Sequence, residues 1–127
     1  MSDIDLVVTR SQKLEGRLEK DFGATGKGLH QKVSSVEAGL PAELVRKLRL
    51  VATVRNKVVH ESGRIEDRRR FVEAADDAER QLTAIAKSRR GRRKFGKLKL
   101  LAVVLVVLAV AAAVLWFMWN SGGGGGG

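Results

Sequence analysis

The sequence predicts an all-α protein: a small antiparallel bundle of about four helices, followed by one transmembrane helix. Apolar residues recur every three or four positions through residues 1–87, as on one face of a helix, and no segment alternates with period two for long enough to form a strand. Residues 100–119 contain no charged side chain, which predicts the membrane helix. A polybasic segment, residues 88–99, separates the two parts, and residues 120–127 form a glycine-rich tail.

The first two predicted helices are short and amphipathic. The first covers about residues 3–22, and Ser2 and Asp5 resemble a capping pair, with Asp in place of the more usual Glu. Its inward face is predicted to consist of Ile4, Val7, Ser11, Leu14 and Leu18. Gly23 ends it. The second helix covers about residues 28–38, and its face is Leu29, Val33, Val36 and Leu40.

The third helix begins at Pro41, a residue type favoured at the first helical position, and extends to about Val59. The fourth begins at about Arg68 after a cap by Asp67 and extends to about Ala86. Its inward face is Phe71, Ala75, Ala78, Leu82 and Ile85. Four short amphipathic helices with brief connections predict an antiparallel bundle. The glycine-rich stretch GATGKG lacks the further positions and the preceding strand of a phosphate-binding loop.

The net charge of +10 is concentrated in one short segment. Residues 1–86 hold 16 Lys and Arg against 14 Asp and Glu, a balance of +2, whereas residues 87–99 hold eight basic residues and no acidic one. The folded part is therefore nearly neutral. The chain has no cysteine, which excludes disulfides and thiolate metal sites.

The uncharged segment 100–119 has the length and composition of a transmembrane helix. Twenty residues at about 1.5 Å each span roughly 30 Å, the thickness of the hydrocarbon core. Twelve of them are Leu, Val or Phe, which favours insertion by roughly 4 to 7 kcal/mol. Trp116, Phe117 and Trp119 cluster at one end, as in an aromatic belt. The alternative, a buried core helix, is disfavoured because a domain of this size cannot cover a helix that is apolar on every side.

Basic residues lie directly before this segment, and none follows it. The set expected at the membrane surface is Arg89, Arg90, Arg92, Arg93, Lys94, Lys97 and Lys99. Basic residues beside a span remain on the cytoplasmic side, which predicts a single-pass protein of the cytoplasmic (inner) membrane with its N-terminal domain in the cytoplasm. The same charges also suit anionic lipid, at about 1 kcal/mol per charge near the surface.

Arg55 is predicted to lie in the middle of an apolar stripe of the third helix. On a helical wheel it falls about 20° from Leu44, between Leu48 and Val51. A buried guanidinium needs a partner, because burying it unpaired is costly. The candidates are an internal carboxylate such as Glu61, backbone carbonyls, a subunit boundary or a ligand phosphate.

His60 follows five positions later, with Asn56 one turn before it. In a straight helix Arg55 and His60 would lie about 140° apart. They converge only if the helix ends there, or if two copies face each other across a two-fold axis. A histidine at a helix C-terminus can instead serve as a cap.

The segment RNKVVH, with Arg55, Asn56 and His60, resembles the Arg–polar–three-residue–His motif of HEPN domains. The stretch GKGLHQKVSSVEAGLPAELVRKLRLVATVRNKVVHESG is similar to a bacterial HEPN-like domain of unknown function, and the resemblance covers roughly residues 1–87. The resemblance implies a helical bundle that forms a homodimer with both motifs at the interface. It implies either a metal-independent ribonuclease or a non-catalytic binding or scaffold domain.

Arg55, Asn56 and His60 are accordingly the candidate catalytic residues. The 2′-hydroxyl of RNA can attack the neighbouring phosphate, a histidine can move the protons near neutral pH, and an arginine can stabilise the phosphoryl oxygens. No cofactor is expected, and a metal route is disfavoured because His30 and His60 are the only histidines and no acidic cluster has ligand spacing. His30 is interpreted as a surface residue of the second helix.

Two functional hypotheses follow. The first is a membrane-tethered HEPN-like endoribonuclease that needs no metal and acts in stress or defence. The alternative is a non-catalytic HEPN-like module that recruits a protein partner to the cytoplasmic membrane. The near-zero charge of residues 1–86 favours the module, whereas Arg55 in an apolar stripe with His60 nearby favours the enzyme.

The charge asymmetry around residues 100–119 gives a topology prediction. Because the basic residues all precede this segment, reporter fusions should place the N-terminus in the cytoplasm and the C-terminus outside. A reporter that requires export should be inactive at Met1 and active after Ser121. An exported, active reporter at Met1 would contradict the prediction.

Overall fold

The computed structural model describes residues 1–122, which form helices and short connections with no β-strand among them. The elements in chain order are α1 (Asp3–Phe22), α2 (Gly28–Val36), a 3₁₀ turn (Glu37–Gly39), α3 (Ala42–Lys57), a π-helical turn (Val58–Ser62) and α4 (Arg68–Ser121). The predicted all-α class with four helices is confirmed. The chain divides into two compact units, Met1–Lys87 and Ser88–Gly127.

Helix α1 begins and ends where the sequence predicts. The backbone N–H of Asp5 donates to Ser2 Oγ at 3.2 Å, and Ser2 Oγ donates back to the Asp5 carboxylate at 2.8 Å. This reciprocal pair satisfies one of the N–H groups that a helix start leaves without an internal partner. At the other end Gly23 adopts φ 68°, and its N–H donates to Glu19 O at 3.2 Å.

One apolar core lies inside the first unit. It takes in Val7, Leu14 and Leu18 from α1, Leu29 and Val33 from α2, Leu44, Leu48 and Val51 from α3, and Phe71, Ala75, Ala78 and Leu82 from α4. The predicted inward faces thus supply the core. Ile4 is the main exception in α1, since it is 43% exposed.

Ion pairs between neighbouring segments show in which directions the helices run. Lys47 of α3 contacts Asp77 of α4 at 3.4 Å, and Lys57 contacts Glu66, just before α4, at 2.9 Å. Helices α3 and α4 therefore run antiparallel.

Helices α1 and α4 run in the same direction, which corrects the strictly antiparallel bundle that the sequence predicted. The pairs that join them are Asp3–Arg68, Arg10–Asp76 and Lys13–Glu79. From one pair to the next, the residue numbers on α1 and on α4 rise together, as they do between parallel helices. The physical reason is that α2 has only nine residues and a length of about 13 Å. It is too short to return the chain to the start of α1, and α3 makes that return instead.

Helix α4 has 54 residues, so the predicted helix end at Ala86 is wrong, and residues 100–119 are part of this helix rather than a separate one. Gly91 and Gly96 do not interrupt it, because a glycine inside a helix costs only about 1 kcal/mol relative to alanine. This helix contains a segment long and apolar enough to cross a membrane, and none of that segment is buried. Of the predicted tail, residues 123–127 lie outside the described residues.

The glycine-rich connection between α1 and α2 is held by a buried lysine. Lys32 is 7% exposed, and its Nζ donates to Gly26 O at 3.1 Å and lies 3.1 Å from a Glu19 carboxylate oxygen. The N–H of Lys27 donates to Gln31 Oε1 at 2.8 Å. These contacts fix the point at which α2 begins.

Two glycines provide a matched stability test. Gly26 has φ 113°, and a Cβ there would lie 2.7 Å from Gln31 Cβ, whereas a Cβ at Gly16, inside α1, meets nothing within 4 Å. Gly26→Ala should lower the free energy of unfolding by about 1 to 3 kcal/mol. Gly16→Ala should raise it by about 0.5 to 1 kcal/mol. Urea unfolding followed by circular dichroism measures both, and equal effects of the same sign would contradict the assignment.

Candidate functional site

Helix α3 ends in a widened turn that carries His60. The N–H of Gly63 donates to Val58 O at 2.8 Å, a bond between residues five apart, and Gly63 adopts φ 66°. Single π turns of this kind are rare and are often found at functional sites. Gly63 therefore caps the helix. Among residues 1–122, the His60 ring makes no hydrogen bond that would cap it. His60 is exposed.

Arg55 lies at the edge of the buried stripe rather than inside it. Its side chain is half-buried, and its Nη1 donates to Asn56 Oδ1 at 3.1 Å. None of the ion pairs among the described residues includes Arg55, so the internal carboxylate partner that the sequence left open is not formed. Gly28, the first residue of α2, lines the same depression as Arg55.

Arg55 lines an open depression of about 430 Å³ between the start of α2 and α3. The residues around it that carry polar groups are Lys27, His30, Gln31, Arg55 and Asn56. Two cationic side chains thus lie beside the first turn of α2, where backbone N–H groups lack internal helical partners. The charge around this depression favours an anion.

A second open depression, of about 350 Å³, adjoins the first along α3. Asn56, Lys57 and His60 lie three, four and seven residues after Thr53, so the four line one face of α3 and the widened turn that follows it. Glu61 completes this side. Asn56 and His30 line both depressions, and they connect the Arg55 region to the His60 region.

His30 belongs to this site, although the sequence interpretation placed it on the surface of the second helix. It is half-buried, and its Nε2 lies 3.5 Å from Thr53 Oγ1. No feature of the sequence indicated this contact directly. The available signal was indirect, because His30 lies between the buried residues Leu29 and Val33 on α2, but only the packing of α2 on α3 brings it to Thr53.

Lys57 adds a fixed positive charge to the second depression. Its hydrogen bond to Glu66, 2.9 Å long, and the charge of that carboxylate raise the pKa of Lys57 above its ordinary value. The ammonium therefore stays protonated through neutral pH. The charge of Lys57 is already paired with the Glu66 carboxylate, whereas none of the ion pairs among the described residues includes Arg55.

The site offers acid–base and electrostatic groups rather than metal ligands. Within residues 1–122 no group of three or more His, Asp or Glu side chains is arranged to hold a metal ion. Arg55 presents guanidinium donors, Asn56 an amide, and His30 and His60 two imidazoles. Such a set can bind a phosphate and transfer protons near neutral pH.

The residues predicted to meet the membrane surface all lie on α4. Arg89, Arg90, Arg92, Arg93, Lys94, Lys97 and Lys99 are exposed and helical. Lys99 Nζ lies 5.6 Å from the centre of the Phe95 ring, within the range of a cation–π contact. The segment is therefore a helical basic stretch rather than an extended one.

No protein-family model, curated protein or solved structure matches this chain. The HEPN resemblance therefore stands on the residues of the motif and on the helical architecture.

The surroundings of Arg55 predict that it contributes little to stability. Arg55→Ala should change the free energy of unfolding by less than about 1 kcal/mol, because it breaks one hydrogen bond to an exposed neighbour. Arg10→Ala is the matched control, since Arg10 is only 20% exposed and pairs with Asp76 and Glu79. It should cost about 1 to 3 kcal/mol. Melting curves of the two variants would refute this if Arg55→Ala is unfolded at room temperature.

Proposed function

We propose that the chain is a membrane-tethered, HEPN-like endoribonuclease that cuts RNA without a metal and acts in stress or defence. The observation that carries the proposal is the position of Asn56. It accepts a hydrogen bond from Arg55 and lines both depressions, with the guanidinium on one side and the His60 imidazole on the other. The three motif residues thus line two adjoining open depressions that share Asn56.

The reaction that suits these groups is transesterification within the RNA. The 2′-oxygen forms a bond to phosphorus while the bond from phosphorus to the 5′-oxygen breaks, which yields a 2′,3′-cyclic phosphate and a 5′-hydroxyl. His60 in its neutral form takes the proton of the 2′-hydroxyl, and the departing 5′-oxygen takes up one proton. Arg55 donates to the non-bridging oxygens, whose negative charge grows in the transition state.

The proposal includes the membrane tether and a homodimer. The apolar part of α4 serves as the single span of the cytoplasmic membrane, and the basic residues before it keep the first unit in the cytoplasm, beside anionic lipid. The homodimer comes from the HEPN resemblance, and it would place two such sites near each other.

A non-catalytic module that recruits a protein partner is the second candidate. Two observations favour it: the charge balance of +2 over residues 1–86, and the exposure of Val59, which is 36% accessible next to His60. An exposed valine beside the motif suits a protein surface better than an RNA backbone.

Cleavage assays on the full-length protein in detergent micelles separate the two candidates. Wild type should cut single-stranded RNA in the presence of EDTA and leave 2′,3′-cyclic phosphate ends. His60→Ala should lower the rate by about 10² to 10⁴-fold, and Arg55→Ala by about 10² to 10³-fold. The double mutant should lose little more than the worse single mutant, because the two groups act on one phosphate.

Arg46→Ala is the matched control for Arg55→Ala, since Arg46 is an exposed arginine of the same helix outside both depressions. It should cleave at the wild-type rate. Wild-type protein that cleaves no RNA above the double mutant would remove the enzyme proposal, and a co-purifying protein lost on mutation of Val59 to Asp would then favour the recruitment module.

A further inference from the structure

The reaction proposed above needs a second proton-transferring group. One group removes the proton of the 2′-hydroxyl, and another supplies a proton to the 5′-oxygen as it leaves. The attacking and leaving oxygens lie on opposite sides of phosphorus, roughly in line. A single imidazole at one end of the site cannot reach both oxygens in the same step.

His30 lies where the second group is needed. Its Nε2 lies 3.5 Å from Oγ1 of Thr53, which is seven residues before His60 in the chain. Both imidazoles and Asn56 line one depression. His30 also lines the other depression, where Arg55 lies.

We propose that His30 is the general acid of this site and that one chain carries both proton-transferring residues. The assignment rests on the proposed function. His30 in its protonated form gives its proton to the 5′-oxygen as the bond from phosphorus breaks, and His60 holds the proton taken from the 2′-oxygen. The site takes one proton from the 2′-oxygen and gives one to the 5′-oxygen, and no electrons are transferred. Thr53 is a positioning residue that holds the ring of His30.

The charged neighbours of His30 are compatible with this role. The groups that line the two depressions with it are Lys27, Arg55, Lys57, His60 and Glu61. The cations among them favour the negatively charged phosphate of the substrate.

The leaving group of the substrate tests the assignment directly. A 5′-nucleoside leaves only with a proton, whereas the nitrophenolate of a nucleoside 3′-(4-nitrophenyl phosphate) leaves without one. Full-length His30→Gln in detergent micelles should cut a dinucleotide about 100-fold more slowly or worse, and should cleave the nitrophenyl ester at nearly the wild-type rate. His60→Gln should lose both activities, and Gln12→Ala, an exposed change on α1, should lose neither.

Equal rates of wild type and His30→Gln on the dinucleotide would overturn the assignment, and so would an equal loss on both substrates. Thr53→Val should give a smaller loss with the same preference for the nitrophenyl ester. Circular dichroism of each variant shows whether the fold is retained, and His30→Ala provides a second substitution if glutamine perturbs α2.

A binding measurement separates failure of this inference from failure of the proposed function. The chain has only two histidines, so its imidazole carbon–proton resonances can be followed by NMR during titration with cytidine 3′-monophosphate. Both resonances should shift with one dissociation constant. If wild type cleaves nothing but both resonances shift, the shared phosphate site stands and the ribonuclease proposal fails. If only His60 responds, or neither does, His30 is not part of the site.

Discussion

The arrangement of the candidate site depends on one buried cation, Lys32. Burying an ammonium group is tolerated only if its donors are satisfied, and Lys32 reaches both the carbonyl of Gly26 and the carboxylate of Glu19. It thereby ties the end of α1, the glycine-rich connection and α2 together. With the connection fixed, α2 begins beside Arg55, and His30 in its first turn contacts Thr53.

The sequence predicted the parts of the fold that are set within single helices. Caps such as Ser2 with Asp5 and Asp67 with Arg70 are local hydrogen bonds, and both form. The inward faces follow from periodicity, because burial of one face repeats every three or four residues. The parallel course of α1 and α4 could not be predicted in this way, since it depends on how far the nine residues of α2 carry the chain.

The predicted end of the fourth helix was wrong for a related reason. The sequence interpretation ended it at Ala86, where the apolar periodicity stops, and began a new helix at Leu100. Between them, the basic residues of the 88–99 segment are good helix formers, so the backbone continues as a helix without a buried face. Loss of periodicity marks the end of the core, and it does not mark the end of the helix.

The site itself was only half predictable. The motif identified Arg55, Asn56 and His60 as candidates. It left open how the helix ends and what Arg55 contacts. In the structure the helix ends in a widened turn capped by Gly63, and among residues 1–122 Arg55 has no internal ion pair. The helical wheel placed Arg55 in the buried stripe because it counts only the residues of one helix. It cannot include the neighbouring helix, between whose start and α3 Arg55 lines an open depression. The contact between His30 and Thr53 could not be predicted for the same reason.

The separation of charge along the chain bears on which function suits the site. On the proposed topology the basic residues of the 88–99 segment lie next to anionic lipid, so attraction of RNA depends on the first unit. That unit is nearly neutral, and of the cations beside the site Lys57 is already paired with Glu66. Few phosphate contacts give weak binding. The near-neutral first unit therefore favours the module that recruits a protein, which needs no RNA contact. The proposed enzyme would lose little by weak RNA binding, because only interactions that strengthen in the transition state accelerate the chemical step.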